Sequence, residues 1–154
     1  DSWLSKYSCI VSYSDIFYDK QAIEYLKKNK SGISILNNLN WKKSWLSRYK
    51  KPLLDLESFK IDKRNYLIEI GKREKKIDNI QGQYMGLLKI TPRVWNIVKK
   101  KIPSIKKKNK FSFTELLEEL IVKGIKIKSI PYKYRWYEVD NIKDLKFMNR
   151  TLND

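Results

Sequence analysis

The sequence predicts a single α/β domain with a largely parallel sheet, helices on both faces of it, and an antiparallel hairpin as an elaboration. Strand-like and amphipathic segments alternate at both ends of the chain, as in layered α/β folds. The middle is rich in strand-like segments, and the polar residues 62–65 separate two of them as a hairpin turn would. No internal repeat or Gly/Ser linker divides the 154 residues, a length that can bury one core.

The N-terminal part is predicted to contain two strands and two helices. Residues 8–13 and 33–36 are β-branched or aromatic runs typical of strands. Asp19 is expected to cap a helix that runs to about residue 29, and Asn40 a short helix after the second strand. The apolar residues at helical spacing in these two helices are Ala22, Ile23, Tyr25 and Leu26, then Trp41, Trp45, Leu46 and Tyr49.

The remaining elements follow the same logic. Residues 57–61 and 66–70 form the predicted hairpin, and residues 83–90 a further strand. Thr91 and Pro92 open a helix, because proline is favoured at the first helical position. A helix over 114–123 ends at Gly124. Strands over 125–130 and 136–139 precede a final helix that begins at Asn141 and has Leu145, Met148 and Leu152 on one side.

Composition excludes several kinds of chemistry. The chain has no histidine and one cysteine, so a zinc site and Ser–His or Cys–His nucleophiles are excluded. Cys9 lies in an apolar run and is predicted to be a buried strand residue in a reducing compartment. Because no apolar run is long enough for a membrane span and no signal peptide opens the sequence, we expect a cytoplasmic protein that does not bind membranes.

The charge balance raises the question of nucleic acid. The net charge is +17, from 34 Lys and Arg against 17 Asp and Glu. A basic nucleic-acid-binding module is therefore one hypothesis. However, lysine, asparagine and isoleucine are abundant throughout the chain, as an AT-biased coding sequence would produce. The lysine runs at 99–101 and 106–108 are interpreted as a solvated loop, and a phosphate-rich small ligand is favoured over nucleic acid.

Two aspartates each follow an apolar strand-like run. Asp15 comes after residues 10–14, and Asp140 comes after residues 136–139. Ligands of open α/β sheets bind at the carboxyl ends of strands, so two such carboxylates could hold one Mg²⁺ against a triphosphate. The alternative is that each aspartate only caps the helix behind it.

Several segments resemble, in order, the sugar-phosphate nucleotidyltransferase family. They are Val-Ser-Tyr-Ser-Asp-Ile at 11–16, Ile-Glu-Ile-Gly-Lys at 68–72, Gly-Gln-Tyr-Met-Gly at 82–86, Phe-Thr-Glu-Leu-Leu at 113–117, Leu-Ile-Val-Lys-Gly at 120–124, and Trp-Tyr-Glu-Val-Asp-Asn at 136–141 followed by Asp144-Leu145. The spacing of Trp45, Arg48, Pro52, Asp55, Leu56 and Glu57 is similar to a bacterial branch that includes phosphocholine and phosphonate cytidylyltransferases.

This resemblance implies a Rossmann-like nucleotide-diphospho-sugar transferase fold. It implies transfer of a nucleoside monophosphate, CMP from CTP by similarity to that branch, to a small phosphorylated or phosphonate acceptor with release of pyrophosphate. Such a reaction would serve cell-surface glycan or capsule precursor synthesis. The family's N-terminal strand, glycine-rich phosphate loop and base-reading segment have no counterpart in the sequence. The resemblance therefore covers the C-terminal portion of the family's domain, and we expect the isolated chain to be inactive.

The resemblance also implies a set of site residues. Asp15 and Asp140 would coordinate Mg²⁺, and Lys72 would pair with the acceptor's phosphate, unless it is an ordinary solvated lysine. Glu57 would contact a cationic or hydroxylated part of the acceptor, or would pair with Arg48. Side chains alternate along a strand, so Glu138 would share the face of Asp140 and support the cation. The predicted acceptor-binding residues are Arg48, Glu57, Tyr84, Trp136 and Glu138, with the aromatic ones alternatively in the core.

Three other interpretations stay open at this level. The enzyme could be a sugar-1-phosphate nucleotidyltransferase. The chain could be a nucleic-acid-binding module, or an inactive homologue with a structural or regulatory role. A homo-oligomer is compatible with each of them.

Overall fold

The computed structural model describes residues 2–101 and 112–153. These residues form eight strands and six α-helices, with short 3₁₀ turns at Pro52–Leu54 and Ile77–Asn79. In chain order the elements are α1 Ser2–Lys6, β1 Cys9–Ser12, β2 Ile16–Tyr18, α2 Gln21–Lys28, β3 Ile33–Asn38, α3 Trp41–Arg48, β4 Glu57–Ile61, β5 Leu67–Arg73, β6 Gln83–Ile90, α4 Pro92–Lys101, α5 Phe113–Val122, β7 Lys128–Tyr132, β8 Trp136–Glu138 and α6 Ile142–Asn153.

The central sheet has the strand order β1-β6-β3-β7. Among the described residues β3 and β7 are parallel, whereas β6 is antiparallel to both β1 and β3. The α/β fold is confirmed, but the prediction of a largely parallel sheet was wrong in strand direction. The reason lies in the connection, because the chain leaves β3 at Asn38, passes through α3 and the hairpin, and enters β6 at Gln83, which pairs with Asn38 at the same end of the sheet.

Helices cover both faces of this sheet, as predicted. All six residues of β3 are buried, which requires cover on each side. On one face the ammonium of Lys89 donates to the backbone carbonyl of Asn29 at the end of α2. On the other face an apolar cavity lies between Leu88 and Ile90 of β6 and residues of α1, α4 and α5. None of the helices in the described part of the chain is long and apolar enough to cross a bilayer.

Two antiparallel ribbons lie beside the central sheet. The first is the predicted hairpin of β4 and β5, in which Asp62 accepts backbone N–H bonds from Arg64 and Tyr66 and so closes the turn. The second pairs β2 with β8, two segments separated by more than a hundred residues. This second ribbon positions the candidate site.

Several predicted helix starts differ from the observed ones. Lys20 rather than Asp19 occupies the position before α2, and the Asp19 carboxylate pairs with Arg135 at 3.4 Å. Asn40 precedes α3, but its amide donates to the carbonyl of Lys133 instead of capping the helix. Asn141 does cap α6, because its side-chain oxygen accepts the N–H groups of Lys143 and Asp144.

Other local predictions need correction as well. Lys99–Lys101 belong to α4 and not to a loop, and the run at 106–108 lies outside the described residues. The last strand before Trp136 begins at Lys128 rather than at residue 125. Cys9, predicted to be buried, is only half-buried in its strand, and Leu46 and Leu145 are exposed although helical spacing groups them with the apolar residues of their helices.

Candidate functional site

Asp15 and Asp140 meet at one end of the β2–β8 ribbon. Ile16 pairs with Glu138, and the backbone N–H of Val139 donates to the carbonyl of Asp15 at 2.8 Å. Asp15 directly precedes β2 and Asp140 closely follows β8, so both lie at the same end of this ribbon although 125 positions separate them in sequence. Their location differs from the predicted one in a detail. β1 ends at Ser12, so Asp15 lies in the turn before β2 and not at the end of a strand of the main sheet.

Negative charge is concentrated around this pair. Burial, followed by the charges of Asp140, Asp55 and Asp15, raises the pKa of Glu138 to about 7, against the opposing effect of Arg48. Burial likewise raises the pKa of Asp140, with contributions from Asp144, Asp55 and Asp15. The five carboxyl groups named here thus interact electrostatically. The positive charge of Arg48 does not fully offset their negative charge.

The arrangement fits a hard cation that is also held by a phosphorylated ligand. No described residue donates a hydrogen bond to the carboxylates of Asp15 and Asp140 or forms an ion pair with them. Within residues 2–101 and 112–153, no three His, Cys, Asp or Glu side chains are grouped so that they could hold a metal ion. Mg²⁺ in phosphate-binding sites commonly uses one or two carboxylates and takes its other ligands from water and substrate phosphates. Two free oxygen-bearing side chains suit that mode of binding.

A cavity of about 220 Å³ adjoins the aspartates and contains three of the predicted site residues. Glu57, Tyr84 and Glu138 line it, together with Tyr13 and Thr114. Among the described residues, the carboxylates of Glu57 and Glu138 accept no side-chain hydrogen bond and form no ion pair. The cavity lining therefore combines two carboxylates with aromatic side chains.

Tyr13 is the residue that joins the cavity to the aspartates. Its ring packs edge-on against Tyr84 and Phe113, with centroids 5.9 and 6.0 Å apart. Burial raises the pKa of Tyr13 to about 12, and the charges of Glu138, Glu57 and Asp15 act in the same direction. These surroundings thus disfavour the ionised form of the Tyr13 hydroxyl. Gly86 permits the close approach, since a Cβ there would lie 2.8 Å from the Tyr13 ring.

Arg48 lies behind the acidic groups rather than in the cavity. Its side chain is 4% exposed and pairs with Asp144 at 2.8 Å. The same guanidinium donates to the backbone carbonyl of Glu138 and lies over the rings of Trp45 and Tyr49. The predicted alternative of an Arg48–Glu57 pair is therefore wrong. An arginine this buried supports the site from within the protein, so direct contact with an acceptor is not supported.

Comparison with known proteins was made by sequence and by structure. The chain is 30% identical over 148 residues to CTP:phosphoglutamine cytidylyltransferase of Campylobacter jejuni, a match that covers 91% of this chain and 58% of that protein. The chain is homologous to a cytidylyltransferase. It spans little more than half the length of this relative. No protein-family model matches the sequence.

Solved structures agree at the level of the fold. The inositol-1-phosphate CTP transferase from T. maritima superimposes with a TM-score of 0.71 at 16% identity, over 96% of this chain and 55% of that one. A Bacillus anthracis protein described as a glucose-1-phosphate thymidylyltransferase gives a TM-score of 0.67 at 16% identity, over 98% and 56% of the two chains. The nucleotidyltransferase fold and the resemblance inferred from the sequence motifs are confirmed.

Two predicted site residues lie elsewhere in this cytidylyltransferase homologue. The Lys72 ammonium contacts Glu118 of α5 at 2.8 Å and Glu69 of β5 at 3.3 Å, so it is paired with two carboxylates in this structure. Trp136 is 4% exposed, and its ring stacks on Trp45 at 5.7 Å while its N–H donates to the carbonyl of Met85. Trp136 is thus a core residue, the alternative that sequence reasoning had kept open, and it does not line the acidic cavity.

The structure also adds residues that sequence reasoning did not assign to the site. Tyr13 lies within the first resembling segment, two positions before Asp15, but only the fold shows that it faces Glu57. Asp144 occurs in the last resembling segment and carries no local signal for a role beyond helix capping. Asp55 is held by the indole N–H of Trp45 at 2.8 Å, a contact that the ten-residue separation does not predict.

Proposed function

We propose that the protein containing this chain is a Mg²⁺-dependent nucleotidyltransferase that transfers CMP from CTP to a small phosphorylated or phosphonate acceptor and releases pyrophosphate. The observation that carries this proposal is the meeting of Asp15 and Asp140 across the β2–β8 ribbon, in a chain homologous to a cytidylyltransferase. The preference for CTP rests on the similarity to the CTP:phosphoglutamine cytidylyltransferase of Campylobacter jejuni. A cytoplasmic role in surface-glycan or capsule precursor synthesis is part of the same proposal.

The chemistry is a single in-line displacement at the α-phosphorus of the nucleotide. An anionic oxygen of the acceptor's phosphate or phosphonate forms the new P–O bond as the bond to pyrophosphate breaks, so no side chain has to remove a proton. This suits a sequence without histidine. Asp15 and Asp140 would hold Mg²⁺, which would neutralise charge on the phosphates. The remaining task for the protein is to position the two substrates.

The cavity lined by Glu57, Glu138, Tyr13 and Tyr84 supports an acceptor that carries an amine as well as its phosphate or phosphonate. Two carboxylates without protein partners provide counter-charge for an ammonium group, and the aromatic rings provide apolar contact. Lys72 remains our proposed partner for the acceptor's phosphate. For that role its ammonium would have to exchange Glu118 for the ligand, because it contacts Glu118 in the free chain.

The decisive experiment measures pyrophosphate release from CTP, UTP, GTP and dTTP with a panel of phosphorylated and phosphonate acceptors, with and without a free amine. The chain matches only 58% of the Campylobacter relative, so two proteins are assayed. One is the chain alone, and the other is a chimera in which the chain replaces the matching residues of that relative. We expect Mg²⁺-dependent release with CTP and amine-bearing acceptors in the chimera. Asp140→Asn should abolish release while leaving the circular dichroism spectrum unchanged. Full activity of the Asp140→Asn chimera would refute the cation assignment.

A further inference from the structure

The Arg48–Asp144 ion pair connects α3 and α6 to the segment that follows β8 and contains Asp140. Its two charged side chains are 4% and 7% exposed, so the pair is shielded from solvent. A buried ion pair is weak evidence for stability, because removing two charges from water costs as much as their attraction returns. Stability therefore does not explain why this pair lies beside the acidic groups.

The hydrogen bonds of the pair converge on the backbone around Asp140. Arg48 donates to the carbonyl of Glu138 at 3.1 Å, and one carboxylate oxygen of Asp144 accepts from Arg48 at 2.8 Å. The other oxygen of Asp144 accepts the backbone N–H of Asp140 at 3.3 Å and the amide of Asn141 at 2.7 Å. The backbone is thus held on both sides of Val139, at the carbonyl of Glu138 and at the N–H of Asp140, the residue that would bind the cation.

The orientation of Arg48 is itself fixed by packing. Its guanidinium lies 5.3 Å from the centre of the Trp45 ring and 5.1 Å from that of Tyr49. Trp45 in turn stacks on Trp136, the first residue of β8, and donates to Asp55. Helix α3 therefore contacts β8 at its beginning through aromatic stacking and at its end through the guanidinium.

We propose that Arg48 and Asp144 are positioning residues for the cation site: they fix the backbone at residues 138–141 so that the Asp140 carboxylate is presented beside Asp15. The inference rests on the proposed function. It assigns Arg48 a role through Asp140 rather than through contact with the acceptor. Outer partners of metal ligands typically contribute 10- to 100-fold to metal affinity, which sets the size of the expected effect.

The test measures Mn²⁺ binding to the 154-residue chain by electron paramagnetic resonance, and the cation's location by the broadening of backbone amide NMR signals. Arg48→Lys keeps the charge but loses the planar fork, and should weaken Mn²⁺ binding about tenfold or more. The matched control is Arg135→Lys, which alters a largely exposed pair with Asp19 and should leave Mn²⁺ binding unchanged.

A double variant separates positioning from stability. Arg48→Met combined with Asp144→Leu removes both charges, so that neither is left buried without its partner, and we expect near-native unfolding midpoints. Mn²⁺ binding should nevertheless stay as weak as in Arg48→Lys. Native Mn²⁺ affinity in Arg48→Lys or in the folded double variant would overturn the positioning role. If wild-type Mn²⁺ binding does not depend on Asp15 and Asp140, the cation site itself is wrong and the proposed function fails first.

Discussion

At the scale of single residues, Glu138 combines burial with three acidic neighbours. Its pKa of about 7 in the folded chain compares with 4.5 for an ordinary glutamate. Between these values the folded chain holds a proton that the unfolded chain has released. The folded state then binds more protons than the unfolded state, so the contribution of Glu138 to the free energy of unfolding falls as pH rises from 4.5 to 7.

Glu138→Gln should remove this pH dependence. In chelator-containing buffer, we expect the variant to gain stability relative to wild type as pH rises from 4.5 to 7, by at most about 3 kcal/mol. Urea unfolding at a series of pH values measures the difference. Glu24→Gln, at an exposed position on α2, controls for the loss of one negative charge. Parallel pH profiles for wild type and Glu138→Gln would contradict the raised pKa.

Gly86 is the second residue whose local geometry has a measurable consequence. Its φ is +72°, and an added Cβ would lie 2.8 Å from two Tyr13 ring atoms. Gly86→Ala should therefore destabilise the chain by roughly 1–3 kcal/mol and displace Tyr13 from the cavity. Gly124→Ala is a close control, because Gly124 also has a positive φ of +76° but has no atom within 4 Å of the added Cβ. Equal costs for the two variants would show that the Tyr13 contact is unimportant.

At the scale of elements, α5 is the helix with the clearest sequence signal at its start. Ser112 accepts the backbone N–H of Glu115, and the Glu115 side chain accepts the backbone N–H of Ser112, which together make a capping box. The helix places Glu118 against Lys72 and packs Leu117 and Leu120 into the core. The helix thus holds Lys72, the proposed partner of the acceptor's phosphate, through Glu118.

Ser112→Ala should cost about 1 kcal/mol of unfolding free energy, because the backbone N–H of Glu115 loses its side-chain acceptor. Ser112→Asp, which can still accept the hydrogen bond, should retain most of the stability. The measurement is the urea midpoint of the three proteins at one pH. A Ser112→Ala protein as stable as wild type would mean that α5 is fixed by its apolar packing alone.

At the scale of the whole molecule, the excess of positive charge opposes folding through self-repulsion. The net charge is +17, although the candidate site is locally acidic. Salt screens repulsion between surface charges more strongly than it weakens buried contacts. The net positive charge therefore affects the stability and solubility of the whole molecule. The acidic groups of the candidate site form a local region of opposite charge.

Raising NaCl from about 20 to 200 mM should increase the urea midpoint of the chain, in the direction expected for relief of repulsion. The same titration tests the nucleic-acid hypothesis. Contacts made only by surface lysines should give duplex or single-stranded DNA binding that disappears over this salt range. Sequence-selective binding that persists at 200 mM would favour a nucleic-acid partner over the enzymatic proposal.

The sequence by itself determined most of the local structure of this protein. Periodicity and capping residues predicted the strand Gln83–Ile90 and the hairpin of β4 and β5, and they placed α6 directly after Asn141, because these signals depend on neighbours within a few positions. The absence of histidine directed the predicted chemistry to carboxylates, lysines and a hard cation. The ordered motifs also identified the nucleotidyltransferase resemblance that the comparisons confirm.

Only the tertiary structure decided which of these pieces meet. The direction of β6, the pairing of β2 with β8, the contact of Arg48 with Asp144 and the acidic cavity all join residues that are distant in sequence. Such contacts depend on the path of the chain between elements and on the packing of complete faces. Local sequence patterns predict neither the path of the chain nor the packing of faces. An aspartate that follows a strand, for example, can cap a helix or face another carboxylate.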